Sequence, residues 1–105
     1  MQEFDEAGNG RRAHFVVGER FRIRLKENRT SGYRWVLRGP LASPLELVGE
    51  DYEPAGFQPG AGGIHTWEIR CTEAGCASLE FGMGRPWDPG PPIRRFSVAA
   101  EVIER

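Results

Sequence analysis

Residues 20–26 read Arg-Phe-Arg-Ile-Arg-Leu-Lys, a strict alternation with Phe21, Ile23 and Leu25 on one side and the cations on the other. A period of two sends alternate side chains to opposite faces of an extended chain, so this stretch predicts a strand with one face in a core and one in water. The same period recurs in Tyr33, Trp35 and Leu37, in Trp67, Ile69 and Cys71, in Ala77, Leu79 and Phe81, and in Phe96, Val98, Ala100 and Val102. Residues 14–17 predict a further strand turned by Gly18 and Glu19, and residues 45–48 a weaker one; Gly39 and Pro40 close the run that holds Trp35. No window carries a sustained helical period, and Gly and Pro punctuate the chain between the runs. Short strands so spaced in a chain of 105 residues predict a single all-β sandwich domain.

The charge balance speaks against nucleic-acid binding. The net charge is -1 with both signs spread along the chain, whereas a nucleic-acid binder needs a basic surplus to displace counterions. The arginines of residues 20–26 therefore read as a solvated strand face. No apolar run approaches the roughly 18 residues of a membrane span, so no membrane partner is expected. Residues 1–12 are polar and Gly-bearing and read as a loose, flexible tail, which leaves 13–105 as the folded domain. The start lacks the apolar stretch of a secretory signal, which implies a cytoplasmic protein, or a secreted or periplasmic one if a leader has been removed.

Cys71 and Cys76 flank a short segment, residues 72–75. Free thiols in a reducing compartment are the expectation, with a disulfide across a tight turn as the alternative. With His65 they would give three zinc ligands, but no fourth lies nearby, so neither a metal nor a cofactor is expected. His14 and His65 fall within predicted strands or at their starts, and the spacing reveals no nucleophile–base grouping. Glu50, Asp51 and Glu53 read as a solvated acidic face. The chain is not expected to be an enzyme.

Three segments between strands carry residue types that a plain turn does not need. The first, Asn28-Arg29-Thr30-Ser31-Gly32, precedes Tyr33 and Trp35 and places small hydroxyls beside residues able to take positive φ. It suits entry of backbone into a narrow cleft, or equally a polar loop whose hydroxyls satisfy local backbone groups. The second, Gln58-Pro59-Gly60-Ala61-Gly62-Gly63, exposes backbone for β-type pairing with an extended partner, or is a flexible link. The third runs from Met83 to Pro92 and holds Arg85-Pro86-Trp87. Its prolines suit a preorganised contact surface and its Trp and Arg are typical of interface hot spots. The alternative is that Trp87 folds back to cap the core, with Arg85 stacked upon it.

The set resembles the chagasin-like inhibitors of cysteine peptidases. Residues 28–35 are similar to that family's N-P-T-T-G-Y-x-W motif, residues 60–63 to its G-x-x-G loop and residues 85–87 to its R-P-W loop, in the same order. Arg29 stands where the family usually has proline, and Ser31 where it usually has threonine; the first puts a cation near the protease cleft. The resemblance implies an immunoglobulin-like sandwich of about seven to eight strands, with the three loops at one end and a papain-like cysteine protease as partner. It implies that Asn28, Arg29, Thr30, Ser31 and Gly32 enter the active-site cleft, with Thr30 to Gly32 nearest the catalytic cysteine. Gly60, Ala61, Gly62 and Gly63 would pair with the cleft backbone to backbone. Arg85, Pro86 and Trp87 would pack on aromatic groups across it, while Tyr33 and Trp35 act as supports. A monomeric inhibitor is expected, the alternative being a non-inhibitory immunoglobulin-like binding module.

Overall fold

The computed structural model describes residues 1–39, 41–56, 58 and 60–105; Pro40 and Pro59, named above, lie outside the described residues. Four strands form the first sheet in the order β1 (Gln2–Phe4), β3 (Arg20–Glu27), β6 (Gly63–Cys71) and β5 (Leu45–Pro54). The second sheet runs β2 (Arg11–Val16), β8 (Arg94–Ile103), β7 (Gly75–Gly84) and β4 (Arg34–Leu37). Neighbours are antiparallel except β1–β3 and β2–β8, which are parallel. Among the described residues the only helical pieces are 3-10 turns at Glu6–Gly8 and Arg29–Ser31. The described residues form an immunoglobulin-like sandwich of eight strands.

The alternating residues meet between the sheets. Phe21, Ile23 and Leu25 from β3 and Trp67, Ile69 and Cys71 from β6 face Leu79, Phe81, Phe96, Val98 and Val102 across the core, all buried. Phe15 stacks on Phe21 at 4.3 Å, and Trp67 lies against Phe81 at 4.6 Å. Each such large apolar side chain contributes about 1.5–3 kcal/mol on burial. Both cysteines are free: Cys71 is buried in this core and Cys76 is exposed on β7.

Two elements depart from the sequence reading. The first dozen residues are not a loose tail: Gln2–Phe4 pairs with Phe21–Ile23, and Phe4 sits edge-on against Phe15 and Phe21. Asp5 caps the 3-10 turn, the Glu6 carboxylate accepts from the Lys26 N–H, and β2 begins at Arg11. One aromatic anchor among polar residues makes no period, so the segment was invisible to alternation. The weak strand at 45–48 runs on to Pro54 through a register shift between Leu47 and Gly49. A bulge of this kind breaks the two-residue pattern while the pairing continues.

Strand register decides where the loops emerge. Glu27 and Pro54 both face Gly63, so the chain leaves β3 after Glu27 and β5 after Pro54 at the same end of the first sheet, where it also enters β6. Arg34 faces Gly84 and Met83 faces Arg94, so residues 85–93 leave the second sheet beside the start of β4. All three loops therefore share one end of the sandwich.

Candidate functional site

The β3–β4 loop is bonded mainly to itself. The Asn28 side chain accepts from the Thr30 N–H at 3.1 Å, while the Ser31 and Gly32 N–H groups donate to the carbonyls of Asn28 and Arg29. The Ser31 hydroxyl donates to the Asn28 carbonyl at 2.7 Å and accepts from the Tyr33 N–H at 3.2 Å. Gly32 closes the turn at φ 84°, a left-handed conformation that favours glycine. The hydroxyl at 31 thus satisfies local backbone, while Thr30 and Ser31 remain exposed at the tip.

Beneath this turn lies a buried carboxylate. The Glu27 side chain is fully buried; it accepts from Arg29 Nε at 2.8 Å and from the Trp35 N–H, and its Oε1 lies 3.1 Å from His65 Nδ1. Burial alone would raise its carboxyl, but the hydrogen bonds from Arg29, Trp35 and His65 outweigh it and hold Glu27 below the usual carboxylate range. Arg29 is therefore no free cation at the tip, as its place in the sequence suggested. Its guanidinium folds back onto Glu27 and over the Tyr52 ring, 3.9 Å from the centroid. Trp35 is buried and donates Nε1–H to the Lys26 carbonyl at 3.0 Å, while Tyr33 packs half-buried on the core.

In the β5–β6 loop, Gly60 and Gly62 take φ near +80° and +76°, and Gly60 and Ala61 are exposed. The Gly60 N–H reaches the Thr30 hydroxyl at 3.4 Å, a link between the first two loops. Gly63 differs from its neighbours. It is buried and flanked by paired strands on both sides, and a Cβ there would lie 2.5 Å from the Glu53 carbonyl and 2.6 Å from the Tyr52 ring. Its smallness serves packing under Tyr52. Between these loops lies an open hollow of about 570 Å3, walled in part by Asn28, Ser31, Tyr33, Gly60 and Ala61.

The β7–β8 loop begins with a turn in which the Asp88 N–H donates to the Arg85 carbonyl at 3.0 Å. Pro86 occupies the second position, where its fixed φ is preorganised, and Trp87 projects from the third. The Asp88 carboxylate then accepts from the Gly90 N–H at 2.9 Å. Trp87 is 70% exposed and does not cap the core. Its ring edge lies over Gly32, where an added Cβ would come within 2.6 Å of Cη2. The Arg85 guanidinium covers the Tyr33 ring at 4.4 Å and is 5.9 Å from the Trp87 ring, so it stacks chiefly on the former. Each loop thus touches the first one.

Two residues at this end, Glu27 and His65, have a structural role not assigned from the sequence. His65 is buried, stacked on Trp67 at 3.8 Å, with Nε2 2.8 Å from Glu50 Oε2. Glu50 is thus not merely part of a solvated acidic face. Parity was the available signal: Glu27 continues Phe21, Ile23 and Leu25, and His65 precedes Trp67 and Ile69, each on the inward side.

A β-sandwich that locks three loops together at one end, with an exposed indole among them, defines a loop-presenting protein-binding domain of immunoglobulin-like fold. The chain belongs to the chagasin family of peptidase inhibitors (I42), whose family model matches residues 14–101. It is 29% identical to chagasin of Trypanosoma cruzi over 99 residues, 89% of this chain and 90% of that protein. It is also 29% identical to amoebiasin-1 of Entamoeba histolytica over 99 residues, 92% of this chain and 95% of that protein. Among solved structures, the cysteine protease inhibitor EhICP2 of Entamoeba histolytica superposes with a TM-score of 0.88 at 19% identity, covering 97% of this chain and 95% of that one. PbICP-C, solved in complex with falcipain-2, gives 0.68 at 16% identity over the whole of both chains.

Proposed function

We propose that this chain is a reversible inhibitor of papain-family cysteine proteases, one copy filling the active-site cleft of one protease with its three loops. The observation that carries the reading is the Trp87 indole, exposed yet seated on Gly32 of the first loop. An exposed tryptophan held by a proline turn loses little freedom on docking and buries a large apolar area. In this reading the tip of the β3–β4 turn, Thr30 to Gly32, approaches the catalytic cysteine, and Gly60, Ala61 and Gly62 offer backbone to the cleft wall. Arg85 and Pro86 hold Trp87 for the aromatic groups opposite. Arg29 and Gly63, one folded back and one buried, support these contacts from beneath. Family membership makes the chain an inhibitor rather than an enzyme, and the name of EhICP2 and the partner of PbICP-C make cysteine proteases the target class to test.

The test is a titration of papain and a cathepsin-type enzyme with the folded domain, read by hydrolysis of a fluorogenic peptide. Dose-dependent inhibition, reversed on dilution, is expected. Full activity at micromolar domain would sink the reading and leave the loops as a non-inhibitory binding surface.

A further inference from the structure

The carboxylates of Glu27 and Glu50 face opposite nitrogens of one imidazole. His65 Nδ1 lies 3.1 Å from Glu27 Oε1, and Nε2 lies 2.8 Å from Glu50 Oε2. An ionised carboxylate only accepts hydrogen bonds and a neutral imidazole carries one N–H, so both contacts are donations only when the ring carries two protons. Trp67 fixes the ring by stacking from β6, and Tyr52 meets it edge-on from β5 at 6.4 Å. Two further cations stand near: Arg29, already engaged by Glu27, and Arg34, across the groove that both line with Glu50 and Pro86. Glu27 keeps its charge into mild acid, since it is held below the usual carboxylate range.

We propose that Glu27, His65 and Glu50 form a proton-operated clamp that positions the β3–β4 loop, closed when the imidazole carries both protons. The closed clamp ties the end of β3 to β6 and to the edge strand β5, directly below Asn28, where the turn starts. When the ring loses a proton, one carboxylate faces a bare lone pair. Glu50, whose side chain is half exposed, turns to water, and the base of the loop loosens. The inhibitor is then best shaped for a cysteine protease that works in mildly acidic surroundings. This inference rests on the inhibitory reading of the loop, with Glu27 and His65 as positioning residues.

The test compares wild type with His65→Gln against papain from about pH 8 to about pH 5, the range in which an imidazole titrates. The protease's own titration cancels in the ratio of the two inhibition constants. That ratio is expected to grow about tenfold toward acid, the worth of one hydrogen bond between charged groups. A ratio flat with pH overturns the clamp. Glu50→Gln, a change at the surface, should keep the fold and remove part of the same pH dependence; a Glu50→Gln profile identical to wild type also overturns it. In the free domain, NMR shifts of the amides of residues 28–33 are expected to change together with the His65 ring signals between about pH 8 and about pH 5. Loop amides that ignore His65 overturn the clamp even where papain is not inhibited at any pH, an outcome that by itself removes the inhibitor reading.

Discussion

The β3–β4 and β7–β8 loops touch each other and solve opposite problems. The first spends its polar groups on itself: a 3-10 turn closed by Asn28, Ser31 and Gly32 rests on the buried Glu27 carboxylate. The second keeps little to itself and exposes the largest apolar side chain available, on a turn stiffened by Pro86. In the inhibitory reading the two divide the work. Shape comes from the member whose hydrogen bonds are already satisfied, and apolar area from the member whose indole is not yet buried. Changes in the first should act through geometry, and changes in the second through lost contact.

The largest expected effect is at the contact. Trp87→Ala should weaken inhibition by about 10- to 1,000-fold, roughly 1.4–4 kcal/mol, with the thermal midpoint unchanged. Unchanged potency in the folded variant would break the division between the loops. Next comes the support. Glu27→Gln should destabilise the domain by about 1–3 kcal/mol in denaturant unfolding at neutral pH, because a charged acceptor for three donors is lost. The sign follows from the lowered carboxyl: its stabilisation is present above the usual carboxylate range and fades as pH falls through the depressed folded value. The gap between variant and wild type should therefore close only in strong acid, and a gap constant with pH would remove the charge from the account.

Gly32→Ala sharpens the comparison because it touches both loops. The new Cβ would strain a positive φ and collide with the Trp87 ring, so inhibition should weaken about tenfold while the β-sheet spectrum stays intact. An effect no larger than that of Ser31→Ala would mean that the loops act separately. The smallest effect on binding belongs to Arg29→Ala, which acts on stability instead and should cost about 1–3 kcal/mol, because the fully buried Glu27 carboxylate loses a charged donor. The variant's effect on inhibition should be smaller than that of Gly32→Ala, since the guanidinium folds back onto Glu27 and does not reach the tip. A loss of potency as large as that of Trp87→Ala would return Arg29 to the interface.

The sequence carried the sandwich because its strands are half-buried, and half-burial writes itself as alternation: residues 20–26 and β8 could be read residue by residue. The loops were legible by residue type, since Gly32 marks a turn and the indole of Arg85-Pro86-Trp87 has no use in a simple connection. Contacts made across the fold were not. Glu27 and His65 lie 38 positions apart, and a charged residue at the end of an alternating run reads as the point where a strand meets water. Arg29 looked like an exposed tip for the same reason, its partners Glu27 and Tyr52 being joined to it only by the folded sheet. Gly63 was grouped with Gly60 and Gly62, although only the folded chain puts Tyr52 above it. Strand β1 was lost because three residues and one phenylalanine make no rhythm.

The helical turn at Arg29–Ser31 has a further consequence, for how long the protein survives in contact with a protease. Proteolysis reads a substrate as an extended strand, each peptide group paired with the cleft. Here the N–H groups of Thr30, Ser31 and Gly32 are already taken by Asn28 and Arg29, and Gly32 holds the chain in a left-handed bend. Threading this segment for hydrolysis would mean unwinding the turn while the sandwich still holds both its ends. Digestion should therefore follow global unfolding rather than docking, and the turn would outlast many encounters with the enzyme it obstructs.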